Sequence, residues 1–244
     1  MGTQTRDGYE DIGFARVDHD RIRRRGFPEA IFAPGKTTLQ VLFIAESLLA
    51  KGATNVLVTR ATGEVLDALA GRFPEAWVVP EARLCVLNPT PRPAVGRVVV
   101  AAWRPEDRPA AEEAAVTAEV MGSAVARRLD APFRQPDRFP EWVESLGDPR
   151  VVVAADGGGG ALVSVLAGLA RCLVIALPTS AGSPWNGMPA LLSGLNSCVP
   201  GVVAVNIDNG FGAGYAAHVI NAAGELTHEA GLAPLAASGR GGMR

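Results

Sequence analysis

The sequence predicts an α/β protein: a three-layer α/β/α arrangement around a mainly parallel sheet, preceded by a small α/β domain. Three observations predict it. From Arg97 onward, short β-branched runs alternate with Ala- and Gly-rich helical patterns. Asp- and Gly-rich turns follow those runs. Between the two regions lies Asn88-Pro89-Thr90-Pro91-Arg92-Pro93, with three prolines in five positions, which reads as a junction. The expected units are residues 1–92 and 93–234, with 235–244 as a flexible tail.

Composition narrows the function. A chain of 244 residues holds one large domain or two modest ones with a real core. A net charge of −2, with both signs interspersed, gives no field suited to nucleic acid or an anionic membrane. Cys85, Cys172 and Cys198 are odd in number and lack CxxC spacing. That argues for a reducing compartment and against a disulfide scaffold or a zinc site. The amino terminus has no apolar run resembling a secretory signal, and the expected location is cytoplasmic. Gly160 to Leu177 is nearly all apolar, but Arg171 within it would cost about 2.5–3.5 kcal/mol in a membrane. It reads as a core helix and strand, stopped by Pro178.

The elements follow in order. Residues 1 to about 15 are polar and expected to be loose. Arg21, Arg23, Arg24 and Arg25 then lead into Gly26-Phe27-Pro28-Glu29, with Lys36 following Gly35. This run is either a solvated face or an arm that contacts phosphate. Gly35-Lys36-Thr37 is no P-loop, because the upstream glycine is absent. Thr37 and Thr38 cap a helix from Leu39 to about Ala50. A strand over Asn55 to Thr59 leads to Arg60, a helix begins at Val65, and short strands cover Trp77–Val79 and Leu84–Leu87.

In the second region a buried strand, Arg97 to Ala102, precedes the turn Trp103 to Arg108. A helix begins near Pro109, and its stretch AAEEAAVTAEVMGSAVARRL carries an apolar stripe through Ala114, Val116, Val120 and Val125. After a Pro-rich connection come the strand Val151 to Ala155, Asp156, four glycines, a helix to Ala170 and a strand over Cys172 to Leu177. Ligands in parallel sheets bind at the carboxyl ends of strands, so the candidate turns are 103–108, 156–160, 178–187 and 208–214. The glycines at 157–160 do not form a GxGxxG fingerprint.

The most informative stretch is Asn196 to Gly214, NSCVPGVVAVNIDNGFGAG. A buried strand, Val202 to Ile207, ends in Asp208-Asn209-Gly210 before an Ala-rich helix. A strand, a glycine turn and a helix in succession expose backbone N–H groups on which an anion could dock. Cys198 beside such a site is a candidate nucleophile; the alternative is a structural cysteine beside a turn.

These residues resemble a known family. VDHDRIRRRGFPEAIF with its GK, then VLVTR, AEEAAVTAEVMG, GALVSVLAGL, PTSAG and LNSCVPGVVAVNIDNGFGAG are similar to the LarB family of nickel-pincer nucleotide biosynthesis. The second region resembles the aminoimidazole ribonucleotide carboxylase fold. The resemblance covers roughly residues 14 to 222. It implies carboxylation of the pyridinium ring of nicotinic acid adenine dinucleotide, with release of AMP. Cys198 would add to ring C4, making C5 nucleophilic towards CO2.

By resemblance Asp107 is a candidate acid or base, and Glu106 or Asp156 is a candidate to replace a family carboxylate that this sequence lacks. Arg24, Lys36, Thr59 and Arg60 would contact substrate from the small domain. Gly159, Gly160, Thr179, Ser180 and Trp185 would do so from the first turns of the second domain. Asn196, Ser197, Asp208, Asn209 and Gly210 complete the set. No cofactor is expected to bind tightly, CO2 or bicarbonate is the co-substrate, and Mg2+ could screen the pyrophosphate. No residue marks a metal site. The expected partners are a pyridine nucleotide and other copies of the chain, in an octamer as in related folds, with no nucleic acid and no membrane.

Three departures from the family pattern touch the chemistry. Glu106 and Arg104 stand in AAWRPEDRP where the family carries a serine and a glycine. Gly159 replaces the glutamate of AGMEGAL. The loop Ser183 to Gly187 is shortened, so Trp185 either stacks on a ring or fills space. Glu106 is the favoured replacement base because it adjoins Asp107, where a neighbouring carboxylate would raise its pKa.

Overall fold

The structure is a computed structural model that describes residues 4–6 and 8–229. Three short antiparallel strands open it: β1 (Gln4–Arg6), β2 (Tyr9–Asp11) and β3 (Arg16–Asp18). The expectation of a loose segment here is therefore corrected. Glu10 of β2 pairs with His19, just past β3, at 2.9 Å. The arginine run forms a one-turn helix, α1 (Arg21–Arg25), closed by Gly26 at φ 72.

The small domain continues through β4 (Ile31–Phe32), α2 (Thr38–Ala50), β5 (Val56–Thr59), α3 (Gly63–Arg72), β6 (Trp77–Val79) and β7 (Leu84–Leu87). Its four strands form one mixed sheet in the order β4-β5-β7-β6. Helix α2 begins as its sequence predicts. Thr37 accepts from Gln40 N–H while the Gln40 side chain accepts from Thr37 N–H, a reciprocal cap. Val41, Ile44, Ala45 and Leu48 then face the core at helical spacing.

The second sheet contains β8 (Val95–Ala102), β9 (Ser123–Arg128), β10 (Val151–Ala155), β11 (Leu173–Leu177) and β12 (Val202–Ala204). All five are parallel, in the order β12-β11-β10-β8-β9. Helices α4 (Arg108–Met121) and α8 (Gly210–Glu229) cover one face, while α5 (Phe139–Glu144), α6 (Ala161–Leu169) and α7 (Met188–Leu195) lie towards the other. Both sheet faces are covered, which is why the strands read as continuous apolar runs.

Two expectations change here. The helical pattern after Pro109 does not continue through Val125: Gly122, at φ 108, ends α4, and Ser123–Arg128 becomes β9 beside β8. The last strand is also shorter than Val202 to Ile207, ending at Ala204. No helix among the described residues is long and apolar enough to cross a membrane.

One apolar cluster joins the domains. Phe27, Leu57, Leu84 and Val86 of the small domain pack against Val116, Val120 and Met121 of α4. Burying a side chain of this size contributes about 1.5–3 kcal/mol, so the junction is a packed interface. The segment between the sheets is pinned by Asn55, whose side chain accepts from Thr90 N–H at 2.8 Å and donates to Thr90 O at 2.9 Å.

Candidate active site

The sheet order reverses between β8 and β10, because β8 is followed to one side by β9 and to the other by β10. Connections leaving in opposite directions open a crevice above the carboxyl ends of those strands. Ala102, Ala155 and Leu177 lie level across the register, so the three following turns start at one height. They bring Asp107, Gly157 and Thr179 together.

Asp107 is fully buried. Its Oδ1 accepts from Thr179 Oγ1 at 2.5 Å and from Gly157 N–H at 3.1 Å. Its Oδ2 has no hydrogen-bond partner, and the nearest cation is Arg104 Nε at 3.7 Å. Burial pushes the carboxyl up to about 6, against the pull of Thr179 and Arg104.

Glu106 behaves differently from expectation. Its side chain is 53% exposed and 3.5 Å from Arg104 Nε. Its own backbone N–H, and then Arg104, hold its carboxyl below the ordinary range. The raised pKa falls on Asp107, because burial outweighs adjacency in the chain. Asp156 also has a different place from that of a free base. Its Oδ1 accepts from Gly158 N–H (2.6 Å) and Trp103 Nε1 (3.2 Å), and its Oδ2 accepts from Leu162 N–H (3.0 Å). It ties the glycine turn to the start of α6.

Ser180 and Asp208 join the same end of the sheet. Ser180 donates to Asp208 through N–H (2.8 Å) and Oγ (2.6 Å). Arg60 reaches across from the small domain to donate to Asp208 O at 2.5 Å, with its guanidinium over the Phe32 ring. Thr59 is buried beside it.

At the glycine turn, where the sequence suggests that an anion could dock, the protein places a carboxyl of its own. The N–H groups of Phe211 and Gly210 bond to the carboxyl of Glu113 on α4. Asn209 Oδ1 accepts from Gly212 N–H at 2.9 Å. Sequence reasoning missed Glu113. It is 4% exposed, and burial pushes its carboxyl up to about 7 against the charges of Arg60 and Arg83. A charged residue in the otherwise apolar face of α4 was the only available signal.

A cavity of about 340 Å3 opens here between the domains, walled by Pro34, Arg60, Arg83, Glu106, Glu113, Thr179, Ser180 and Asp208. Glu106 also borders a larger groove of about 980 Å3, lined by Trp103, Arg104, Phe133, Arg134, Arg138 and Trp142. Arg134 lies over the Trp103 ring at 5.2 Å, a stacked cation at the groove wall. Arg134 and Phe133 were also missed, because the Pro-rich connection carries no periodicity to place them.

Other candidates lie apart. Arg24 pairs with Asp18 on the small domain, and Lys36 Nζ is tied back to Phe32 O at 2.8 Å. Neither borders these two cavities. Gly159 has open space where a side chain would start, whereas Gly160 faces Ser193 of α7. Trp185 fills no space left by the shortened loop: it is 82% exposed, on backbone at φ 46.

Cys198 is exposed. It shares a groove with Ser164, Leu192, Ser193, Leu195, Asn196 and Ser197, none of which borders the acid cluster. Helix α7 carries the chain back towards the amino ends of the strands, so the turn holding Cys198 leads into the start of β12. Asp208 and Gly210 lie beyond the other end of that strand. Within one chain the thiol is therefore not beside the glycine turn. Among the described residues, no group of three or more His, Cys, Asp or Glu side chains could hold a metal ion.

Comparisons with known proteins agree with this architecture. Residues 9–89 match the LarB/PurE-like N-terminal domain, and residues 97–237 match AIR carboxylase. An uncharacterized protein of Methanocaldococcus jannaschii is 30% identical over 225 residues, covering 87% of this chain and 86% of that one. With both domain types matched in this order, on a sheet whose switch point holds a buried acid, the chain belongs to the LarB/PurE-like AIR carboxylase family.

Proposed function

We propose that the protein carboxylates the pyridinium ring of nicotinic acid adenine dinucleotide and hydrolyses the phosphoanhydride, releasing AMP. The observation that carries this reading is Asp107, buried at the switch point with one oxygen unpartnered, in a chain of this family. The Cys198 thiolate adds to ring C4, and the electron pair of the iminium bond moves onto the ring nitrogen. The resulting enamine attacks CO2 from C5. Asp107 removes the C5 proton, and expulsion of the thiolate restores the aromatic ring. Water supplies the oxygen for phosphoanhydride cleavage. CO2 or bicarbonate is the co-substrate, and Mg2+ would screen the pyrophosphate.

Thiol and acid meet only if the site is shared between copies. The groove holding Cys198 runs into an apolar face on which Leu192 is 57% exposed and Leu195 66%. Val165 and Leu169 of α6 are exposed as well. An apolar face of this kind favours coverage by a second copy. A homo-oligomer would then present one subunit's thiol to its neighbour's acids.

The test is incubation with nicotinic acid adenine dinucleotide and bicarbonate, following AMP and a carboxylated mononucleotide. Cys198→Ser should abolish turnover and spare binding; full turnover by that variant would sink the covalent step. Gly159, in place of the family glutamate, favours a second reading: a paralogue acting on a related pyridine nucleotide. Reaction with NAD and not with the acid dinucleotide would select it. A nucleotide that only raises the melting temperature would leave a binding protein.

A further inference from the structure

Asp208 and Ser180 are candidate substrate contacts by sequence, yet the structure turns their polar groups towards each other. The Asp208 carboxylate accepts from the Ser180 N–H at Oδ1 (2.8 Å) and from the Ser180 hydroxyl at Oδ2 (2.6 Å). The Asp208 N–H donates to Pro178 O at 2.8 Å. One residue therefore grips the chain on both sides of Thr179. Thr179 is buried, and its hydroxyl is the one that donates to Asp107 Oδ1.

The grip requires an unfavourable backbone. Asp208 is left-handed, at φ 56, a region that a residue with a Cβ occupies only when its surroundings hold it there. A support comes from the small domain. The Arg60 guanidinium donates to Asp208 O at 2.5 Å, a charge-assisted bond roughly twice as strong as a neutral one. Arg60 is itself fixed at the end of β5. Its guanidinium lies 5.4 Å from the centre of the Phe32 ring, and the neighbouring Thr59 O accepts from Ala33 N–H at 3.1 Å. The packing of Phe27, Leu57, Leu84 and Val86 against α4 sets where that arginine stands.

We propose that Arg60 and Asp208 are positioning residues, a strut through which docking of the small domain holds Thr179 against Asp107. The strut rests on the proposed reaction only for the task given to Asp107. Its effect falls on the pH at which that carboxyl titrates. Asp107 faces Thr179 and the Gly157 N–H, Arg104 from its own turn, and Asp156 from the turn after β10. Thr179 pulls the carboxyl down against burial. Without the strut Thr179 is released, and Asp107 keeps its proton to higher pH. Arg104 is held separately, by its own bond to Ala181 O at 2.7 Å.

The test is a carbon-13 NMR titration of the full chain labelled at aspartate carboxyls. The Asp107 signal is identified by its loss in Asp107→Asn, and neither substrate nor turnover is needed. Asp208→Gly suits left-handed backbone and removes the clamp, while Arg60→Gln removes the guanidinium. Each should raise the Asp107 midpoint by about 0.5 in pH or more. Asp208→Asn and Arg60→Lys, which keep an acceptor and a cationic donor, should stay nearer the wild type. Ser180→Ala, a milder change that leaves the backbone bonds in place, should shift the midpoint part of the way.

In a Thr179→Val background the Asp208→Gly shift should largely vanish, because the bond through which it acts is already gone. A wild-type midpoint in Asp208→Gly, Arg60→Gln and Ser180→Ala would overturn the strut. So would shifts that simply add to that of Thr179→Val. If Arg60→Gln loses nucleotide affinity with the midpoint unmoved, Arg60 is a substrate contact and the strut falls. Midpoint shifts without turnover of the acid dinucleotide would leave the strut standing and the reaction fallen. Turnover with unmoved midpoints would do the reverse.

Discussion

Asp107 Oδ1 accepts from Thr179 Oγ1 at 2.5 Å, joining the turn after β8 to the turn after β11 across β10. The bond draws the Asp107 carboxyl down while burial pushes it up. Thr179→Val removes the donor and should move the acidic limb of the activity profile to higher pH. Asp107→Asn should lower kcat/KM by about 100-fold or more and abolish that limb. A limb unchanged by both substitutions would dissociate Asp107 from the chemistry.

Two buried acids, Asp107 and Glu113, set a stability slope. Folding raises Asp107 from 3.8 to about 6 and Glu113 from 4.5 to about 7. As pH rises between about 4 and 7, the unfolded chain gives up these protons before the folded one does. Stability from these two groups is therefore full below their unfolded values and lost as pH passes their folded ones, by up to about 3 kcal/mol each. Urea midpoints of the wild type and of the Asp107→Asn, Glu113→Gln double variant, compared across that window, should diverge in this direction. Parallel curves would refute it.

Asp156 is assigned to structure. Asp156→Ala strands two backbone N–H groups and the Trp103 indole N–H, and should cost about 3 kcal/mol, read as a lower urea midpoint. Asp156→Asn retains acceptors and should cost less. An unaltered midpoint in the alanine variant would mean that the turn is held by other contacts.

Helices α4 and α8 meet through glycine. A methyl group on Gly214 would stand 2.3 Å from the Ala114 carbonyl oxygen, and one on Gly210 would stand 2.4 Å from that of Ala110. Gly214→Ala should therefore lower stability by about 1–3 kcal/mol, although alanine is the better helix former by about 1 kcal/mol. Thermal melting decides the sign.

If the site is shared between copies, inactive variants should complement each other. Asp107→Asn and Cys198→Ser, unfolded and refolded together, should regain part of the activity that neither has alone. No recovery in demonstrably mixed oligomers would place both groups in one subunit's site, against the position of Cys198 before β12.

The amino-acid order by itself determined the parallel α/β layers, the reciprocal cap at Thr37 and the turns in which ligand chemistry would gather. Each is a property of neighbours in the chain, carried by periodicity and turn residues. Tertiary structure decided what depends on distant partners. Ser123–Arg128 became a strand because β8 offered an edge to pair with, although its residues also suit a helix. Asp107 and Glu113, not Glu106, gained the raised carboxyls because burial is set by whole layers closing over a side chain. Cys198 was separated from the acids by the return path of α7, although only nine residues lie between it and Asp208 in order along the chain. Spacing along a chain does not fix which end of a sheet a residue reaches; the direction of the strand between them does.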